Sequence, residues 1–124
     1  MTWEELQTFF RGKVFLIGLT FIDQDENVIE QYQTSGIVGE LTDNGFFKFD
    51  RSNGSVFQLP YDDRAIKEAA EGEYSEKSTG NIIINPDYIT TWTINVKTTD
   101  NLDEMKRNGF MPQDWVFKKS DKHP

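Results

Sequence analysis

The sequence has no cysteine among its 124 residues. Disulfides, thiolate nucleophiles, thiolate zinc sites and iron–sulfur clusters are therefore all excluded. It has one histidine, His123, which is the penultimate residue of a polar, charged end. A Ser-His-Asp triad or a multi-histidine metal site would have to be built on that end, so we reject both. We expect neither a metal nor another cofactor.

Long apolar runs are also lacking. The most apolar stretch, VFLIGLTFI, has nine residues, whereas a membrane-spanning helix needs about 20. The first ten residues, MTWEELQTFF, carry two glutamates where a secretory signal would carry positive charge. We therefore expect a soluble, cytoplasmic protein that does not bind membranes.

Positive charge is scarce in the body of the chain, where no lysine or arginine occurs from Val14 to Phe47. Between Val14 and Val96, 14 acidic residues stand against five basic ones, and the net charge of the whole chain is −8. Nucleic-acid binding depends on basic side chains that displace counterions, so we expect no direct binding to DNA or RNA. The acidity favours a protein partner with a basic surface, and it also confers solubility without any partner.

Two Asn-Gly pairs, Asn44-Gly45 and Asn53-Gly54, mark tight turns between apolar segments. Such pairs accept the positive φ angles that hairpin turns require. They predict a three-stranded meander over Ile37–Leu41, Phe46–Asp50 and Ser55–Leu59. Phe47 and Phe49 would share one face of its middle strand, because strand side chains alternate.

Local patterns elsewhere predict a helix at each end of the chain and several more strands. Thr2 and Glu5 have the spacing of a capping box, which predicts a short helix over Trp3–Arg11. Asp100 or Asn101 can cap a second helix that ends at Gly109. Apolar patterning predicts strands over Lys13–Ile22, Val28–Leu41 with a bulge or bend near Gly36, Glu73–Lys77, Asn81–Asn85 and Tyr88–Lys97, the last with Trp92 on its inner face.

Two short segments join these strands. Asp62 or Asp63 can cap a short helix that runs through Ala70, although Pro60 and the high charge density equally suit an ordered loop. The segment Asn85-Pro86-Asp87 is a turn signal, and we interpret it as a corner of the scaffold and not as a site.

Many short strands with hairpin connections indicate a mainly β fold. A small antiparallel barrel or half-barrel of SH3-like or OB-like kind fits this pattern best, because closure hides the sheet edges. Residues 1–97 would form the barrel with its N-terminal helix. Residues 98–124 would form a C-terminal helix and aromatic tail that pack outside the barrel in the same domain.

The sequence supports two hypotheses of function. The first is a non-catalytic, acidic protein-interaction domain, in its extreme form an immunity-type inhibitor that covers a basic site. Its contacts would include the apolar residues of the C-terminal segment, which either strap across the open edge of the barrel or dock on a partner or a second copy. These residues are Phe110, Trp115 and Phe117.

The second hypothesis is a small enzyme or small-ligand binder that uses carboxylates and tyrosines at the mouth of the barrel. Its candidate residues lie close together in the sequence: Tyr61, Asp62, Asp63, Glu73 and Tyr74. Acid/base catalysis would need one of these carboxylates to be buried. Their hydrophilic surroundings favour a solvated rim instead.

Overall fold

The computed structural model describes residues 2–76, 79–96 and 99–110. It contains two helices and eight strands in this part of the chain. In chain order these are α1 (Trp3–Phe10), β1 (Val14–Ile22), β2 (Val28–Leu41), β3 (Phe46–Asp50), β4 (Val56–Pro60), β5 (Ile66–Glu68), β6 (Glu73–Ser75), β7 (Ile82–Ile84), β8 (Tyr88–Asn95) and α2 (Thr99–Asn108). None of the helices described is long and apolar enough to cross a membrane.

Six strands form one sheet in the order β4-β3-β2-β1-β8-β5, while β6 and β7 pair as a separate hairpin. The mainly β prediction is confirmed, but the sheet is not closed into a barrel. The prediction of purely antiparallel strands is also wrong, because β8 pairs with β1 in parallel.

The open sheet protects its edges without closure. At one edge, the backbone N–H of Phe110 donates to the carbonyl of Gln58 on β4, at 2.7 Å. At the other edge, β5 is only three residues long. Covered and very short edges resist pairing with other chains, so this sheet does not need to close into the predicted barrel.

The core lies on one face of the sheet, because alternate residues of β1 point to that face and are buried. Helix α1 contributes Phe10 to this core, and α2 contributes Leu102 and Met105. The buried side chains of the strands include Phe15, Ile17, Leu19 and Phe21 of β1, Phe47 and Phe49 of β3, and Phe57 and Leu59 of β4. We call this side of the sheet the core face.

The capping box and the meander are confirmed. The Glu5 backbone N–H donates to Thr2 Oγ1, and the Thr2 backbone N–H donates to Glu5 Oε1, so α1 begins where predicted. Gly45 and Gly54 both have φ of +86° in the two hairpin turns. Strand β2 is irregular between Val38 and Glu40, close to the Gly36 near which a bulge is predicted, and again between Val28 and Glu30.

The predicted C-terminal helix is confirmed as α2, and Arg51 holds it against the sheet. The guanidinium of Arg51 donates to the carbonyls of Arg107 at 2.7 Å and Lys106 at 3.4 Å. Nζ of Lys106 lies 2.6 Å from Glu30 Oε2, and that hydrogen bond raises the pKa of Lys106. The helix therefore shields the core beside β2.

Phe110 follows α2 and is buried, with its ring centroid 6.2 Å from that of Trp92 in an edge-to-face contact. Phe110 therefore packs against its own domain, which is the strapping alternative and not docking on a partner. Trp115 and Phe117, the other members of the predicted aromatic cluster, lie outside the described residues.

The short helix predicted after Asp62 does not form. The Asp62 side chain accepts from the backbone N–H of Arg64 and begins a single 3-10 turn, Asp63–Ala65. The chain then extends as β5 and pairs with β8. Pairing along the free edge of β8 satisfies the backbone hydrogen bonds of these residues. The cap at Asp62 therefore starts a single turn and not a helix.

The segment Asn85-Pro86-Asp87 forms a corner of the scaffold, as predicted. Oδ1 of Asn85 accepts from the Gly72 backbone N–H at 2.8 Å, and Oδ2 of Asp87 accepts from the Val14 backbone N–H at 2.8 Å. Asp87 N–H donates in turn to the Val14 carbonyl. These bonds hold the start of β8 beside the start of β1 and so set the parallel register.

Candidate functional site

The second face of the sheet, which we call the back face, is only partly covered. It carries Leu16 and Gly18 on β1 and Ser35 on β2, which alternate with the residues of the core face. The β6–β7 hairpin lies over this part, since Tyr74 and Glu76 line a cavity together with Leu16 and Gly18. The strands β3 and β4 lie beyond the hairpin.

A groove runs along the back face beside the hairpin and encloses about 540 Å³. Val14 and Ile37 line it from the sheet, and Ile82 and Ile83 line it from the hairpin. Asp50 and Arg51 at the end of β3 also line it. The groove therefore combines these apolar side chains with the polar residues Ser35, Ser52 and Asn81, and it has charged residues at one end.

Exposed apolar side chains continue from the groove across the sheet. Val14 pairs with Ile37, Ile37 with Asp50, and Asp50 with Val56, so one row crosses four strands on the same face. Ile37 is 49% exposed, Val56 44% and Ile82 59%. Single exposed apolar residues are ordinary, but a contiguous patch marks an interaction surface. We call Val14, Ile37, Asp50, Val56 and Ile82 the open patch.

The charge of the open patch is negative. No hydrogen bond or ion pair to the Asp50 carboxylate occurs within the described ranges. Arg51 does not neutralise it, because its guanidinium lies 4.9 Å from the centroid of the Phe57 ring on the core face and bonds to α2. Asp87 lies beside Val14, to which it is hydrogen-bonded. A partner would therefore meet carboxylates next to apolar side chains.

The cavity beneath the hairpin is a separate, smaller space of about 210 Å³. Its lining includes Leu16, Gly18, Tyr74, Ile89 and one carboxylate, that of Glu76. Glu76 is only 7% exposed, and its Oε2 accepts a hydrogen bond from Ser35 Oγ at 2.8 Å. The Glu76 backbone N–H donates to the Asn81 carbonyl, so the hairpin fixes the main chain from which this side chain extends.

Gly18 leaves room at the base of the cavity. A Cβ at this position would lie 3.5 Å from Thr91 Cγ2, an ordinary contact. Gly18→Ala should therefore raise the free energy of unfolding by about 0.5–1 kcal/mol, because alanine loses less backbone entropy on folding. Urea denaturation monitored by tryptophan fluorescence measures the change.

Gly36→Ala is the matched control on the neighbouring strand. A Cβ there would lie 2.7 Å from Phe49 Cβ and 3.3 Å from the Asp50 carbonyl. We expect this variant to lose at least about 1 kcal/mol through overpacking. A loss of stability in Gly18→Ala equal to that in Gly36→Ala would contradict the space assigned to the cavity.

The candidate residues named from the sequence fall into two groups on opposite faces of the sheet. Tyr61 packs in the core, with its ring centroid 6.0 Å from Trp3, 6.0 Å from Phe10 and 5.6 Å from Phe47. Tyr74 lines the cavity on the back face, and its hydroxyl donates to the Ala70 carbonyl. Because the sheet is open, there is no barrel mouth where the two groups could meet.

The carboxylates of these groups make local contacts. Asp62 forms a 2.9 Å ion pair with Arg64, and hydrogen bonds from Arg64 hold the pKa of Asp62 below its ordinary value. Burial raises the pKa of the Tyr61 hydroxyl, and the charges of Asp63 and Asp62 raise it further. Asp63 and Glu73 are exposed. This arrangement favours a structural turn over an acid/base pair.

Four residues of the back face escaped the sequence analysis: Ile37, Asp50, Val56 and Glu76. One signal was present for Ile37, since it stands next to Val38 and two adjacent strand residues cannot both face the core. In the sequence, Val56 and Asp50 stand near the ends of predicted strands and nothing distinguishes them. Glu76 lies in a polar stretch that does not predict burial.

In the part of the chain that the structure describes, no group of three or more histidine, cysteine, aspartate or glutamate side chains could hold a metal ion. The site is thus defined by shape, apolar surface and isolated carboxylates. We find no match to this chain among protein-family models, among curated proteins or among solved structures.

Proposed function

We propose that this protein is a non-catalytic interaction domain that binds another protein through the open patch and its groove. The observation that carries the proposal is the row of exposed Ile37 and Val56 on either side of the unpaired Asp50. Apolar contacts would supply affinity at the centre of the interface. The carboxylates would select a partner with a basic surface.

Burial of the open patch would contribute to the affinity for a partner. Complete burial of a valine or isoleucine side chain is worth about 1.5–3 kcal/mol, and the three aliphatic side chains Ile37, Val56 and Ile82 are each about half exposed. A stable interface needs about 800 Å² on each partner. The groove and the adjoining strands would form its centre, with polar residues at the rim.

The charge of the chain favours the same class of partner. A net charge of −8 speeds the approach of a positively charged surface and slows that of nucleic acid. An inhibitor of the immunity type, which covers the basic site of its target with carboxylates, is the version that this charge favours. The cysteine-free sequence fits a cytoplasmic location, where disulfides are rare.

The alternative of a small enzyme at Tyr61, Asp62, Asp63, Glu73 and Tyr74 has less support. Its members lie on opposite faces of the sheet, and Asp62 is engaged by Arg64. Catalysis by a carboxylate pair would require the two groups to face one substrate.

A pair of double variants tests the proposed interface. Proteins captured from the source cells by the wild-type chain are identified and purified. The dissociation constant of the purified partner is then measured by calorimetry. We expect the double variant to weaken binding by about tenfold or more, since central apolar contacts dominate interface energies.

The matched control is Val28→Ser/Ile29→Ser, which removes two apolar side chains that are at least about as exposed, at the far end of β2. It should leave the dissociation constant unchanged. Equal losses in the two double variants, or tight binding that survives Ile37→Ser/Val56→Ser, would refute the assignment of the interface.

A further inference from the structure

We infer that the cavity beneath the β6–β7 hairpin binds a primary ammonium group on a short apolar stem, with Glu76 as its counter-ion. This site is separate from the open patch and does not depend on the proposed function. The ligand class follows from three features of the cavity: a buried carboxylate, an apolar wall and a limited volume.

The buried carboxylate calls for a cation. Removing a carboxylate from water is costly unless opposite charge or several hydrogen-bond donors compensate it. Glu76 is 7% exposed, and the donor that the structure places on its side chain is the neutral hydroxyl of Ser35. Among the described residues, lysine forms ion pairs between Lys48 and Glu40 and between Lys106 and Glu30, and neither pair includes Glu76. An ammonium ligand would supply both charge and N–H donors.

The wall of the cavity selects the stem of the ligand. Leu16, Ile89 and the ring of Tyr74 contribute apolar surface, and Gly18 leaves the base open. A cavity of about 150 Å³ is large enough for benzene, so about 210 Å³ has room for one ring with a short aminomethyl arm.

A primary ammonium suits the polar atoms better than a quaternary one. Thr91 lies in the same lining as Glu76, and a primary ammonium has three N–H groups to share among the carboxylate and hydroxyl acceptors of such residues. A quaternary ammonium has none. The hairpin covers this site, which favours a free small amine over a side chain presented by another protein.

Benzylammonium is the probe that tests the inference, with benzyl alcohol as its uncharged counterpart of nearly the same shape. Titration of the full chain is followed by amide chemical shifts in nuclear magnetic resonance spectra. We expect benzylammonium to bind with a dissociation constant on the order of 1 mM or below, as the size of the ligand allows. Shifts should centre on residues 16–18, 74–76 and 89–91, and benzyl alcohol should bind about tenfold more weakly or worse.

Two variants locate the site. Glu76→Gln keeps an acceptor for the Ser35 hydroxyl but removes the charge, and it should weaken benzylammonium binding by about tenfold or more. Gly18→Leu fills the base of the cavity and should abolish binding. Ile84→Ser, on the exposed side of the hairpin, is the control and should bind as the wild-type chain does. If Glu76→Gln fails to fold, the comparison with benzyl alcohol and the Gly18→Leu variant still test whether the cavity binds the ammonium group.

Nα-acetyl-lysine N-methylamide distinguishes the two sources of an ammonium group. Weaker binding of this compound than of benzylammonium supports a free amine, and tighter binding supports the ammonium chemistry but assigns it to a lysine of another protein. Equal binding of benzylammonium and benzyl alcohol, unchanged binding by Glu76→Gln, or no binding of either amine would overturn the inference.

Discussion

Phe15→Ala should lower the free energy of unfolding by about 3–5 kcal/mol, a large part of the about 5–15 kcal/mol that stabilises a typical domain. Phe15 is fully buried, and four aromatic ring centroids lie within 6.0 Å of its own, those of Phe10, Phe47, Phe49 and Tyr88. Alanine would leave a cavity where helix α1 meets the sheet. Urea denaturation monitored by tryptophan fluorescence measures the loss.

Phe9→Ala is the matched control for this prediction. Phe9 contacts the rings of Phe10 and Tyr88 but is 43% exposed. Its removal should cost about 1 kcal/mol or less, because water already reaches much of the ring. Similar losses in the two variants would show that the packing between α1 and the sheet is not as described.

Gly109→Ala should have the next largest effect and lower the free energy of unfolding by about 2–5 kcal/mol. Gly109 has φ of +76°, and a Cβ at this position would lie 2.0 Å from the carbonyl oxygen of Gln58 and 2.8 Å from its nitrogen. A left-handed backbone costs alanine about 1–2 kcal/mol, and overpacking adds about 1–3 kcal/mol. Since the clash is with backbone, the chain can relieve it only by separating Phe110 from β4.

Gly54→Ala separates these two costs. Gly54 has φ of +86° in the β3–β4 turn, but no atom lies within 4 Å of a Cβ built there. It should lose only the backbone term of about 1–2 kcal/mol. If Gly109→Ala were no more destabilising than Gly54→Ala, the close contact between α2 and β4 would be refuted.

Features that depend on neighbours in sequence could be predicted from the residues alone. The Thr2 and Glu5 capping box satisfies its hydrogen bonds within a few residues, whereas the Asn-Gly turns and the Asn85-Pro86-Asp87 corner demand particular φ angles. Such requirements involve only residues that are neighbours in the sequence. The elements they delimit accordingly agree with the structure to within one or two residues.

Features that depend on distant partners could not be predicted. Nothing in β8 shows that it will lie parallel to β1, because alternation of polar and apolar residues fits either direction of pairing. The same long-range pairing overrides the capping signal of Asp62 and makes β5 a strand. The barrel prediction failed for this reason, since edge protection by Phe110 is not visible in the sequence.

The candidate site could not be predicted either, because it also depends on contacts between residues that are distant in the sequence. Ile37 and Val56 are apolar, as core residues are. Only the position of the β6–β7 hairpin decides which part of the back face stays open to solvent. The burial of Glu76 results from the contact of that hairpin with Ser35. The carboxylates and tyrosines that stood out in the sequence belong to a turn and to the hairpin.

Photo-crosslinking of the purified partner tests the central proposal most directly. A photoreactive benzoylphenylalanine replaces either Val56, in the open patch, or Val28, which is similarly exposed and lies about 30 Å away along β2. We expect the partner to crosslink at position 56 and not at position 28. The yield should fall at about 1 M salt, where the Debye length falls to about 3 Å and the attraction of the carboxylates is screened. Crosslinking at position 28 but not at position 56 would contradict the proposed function.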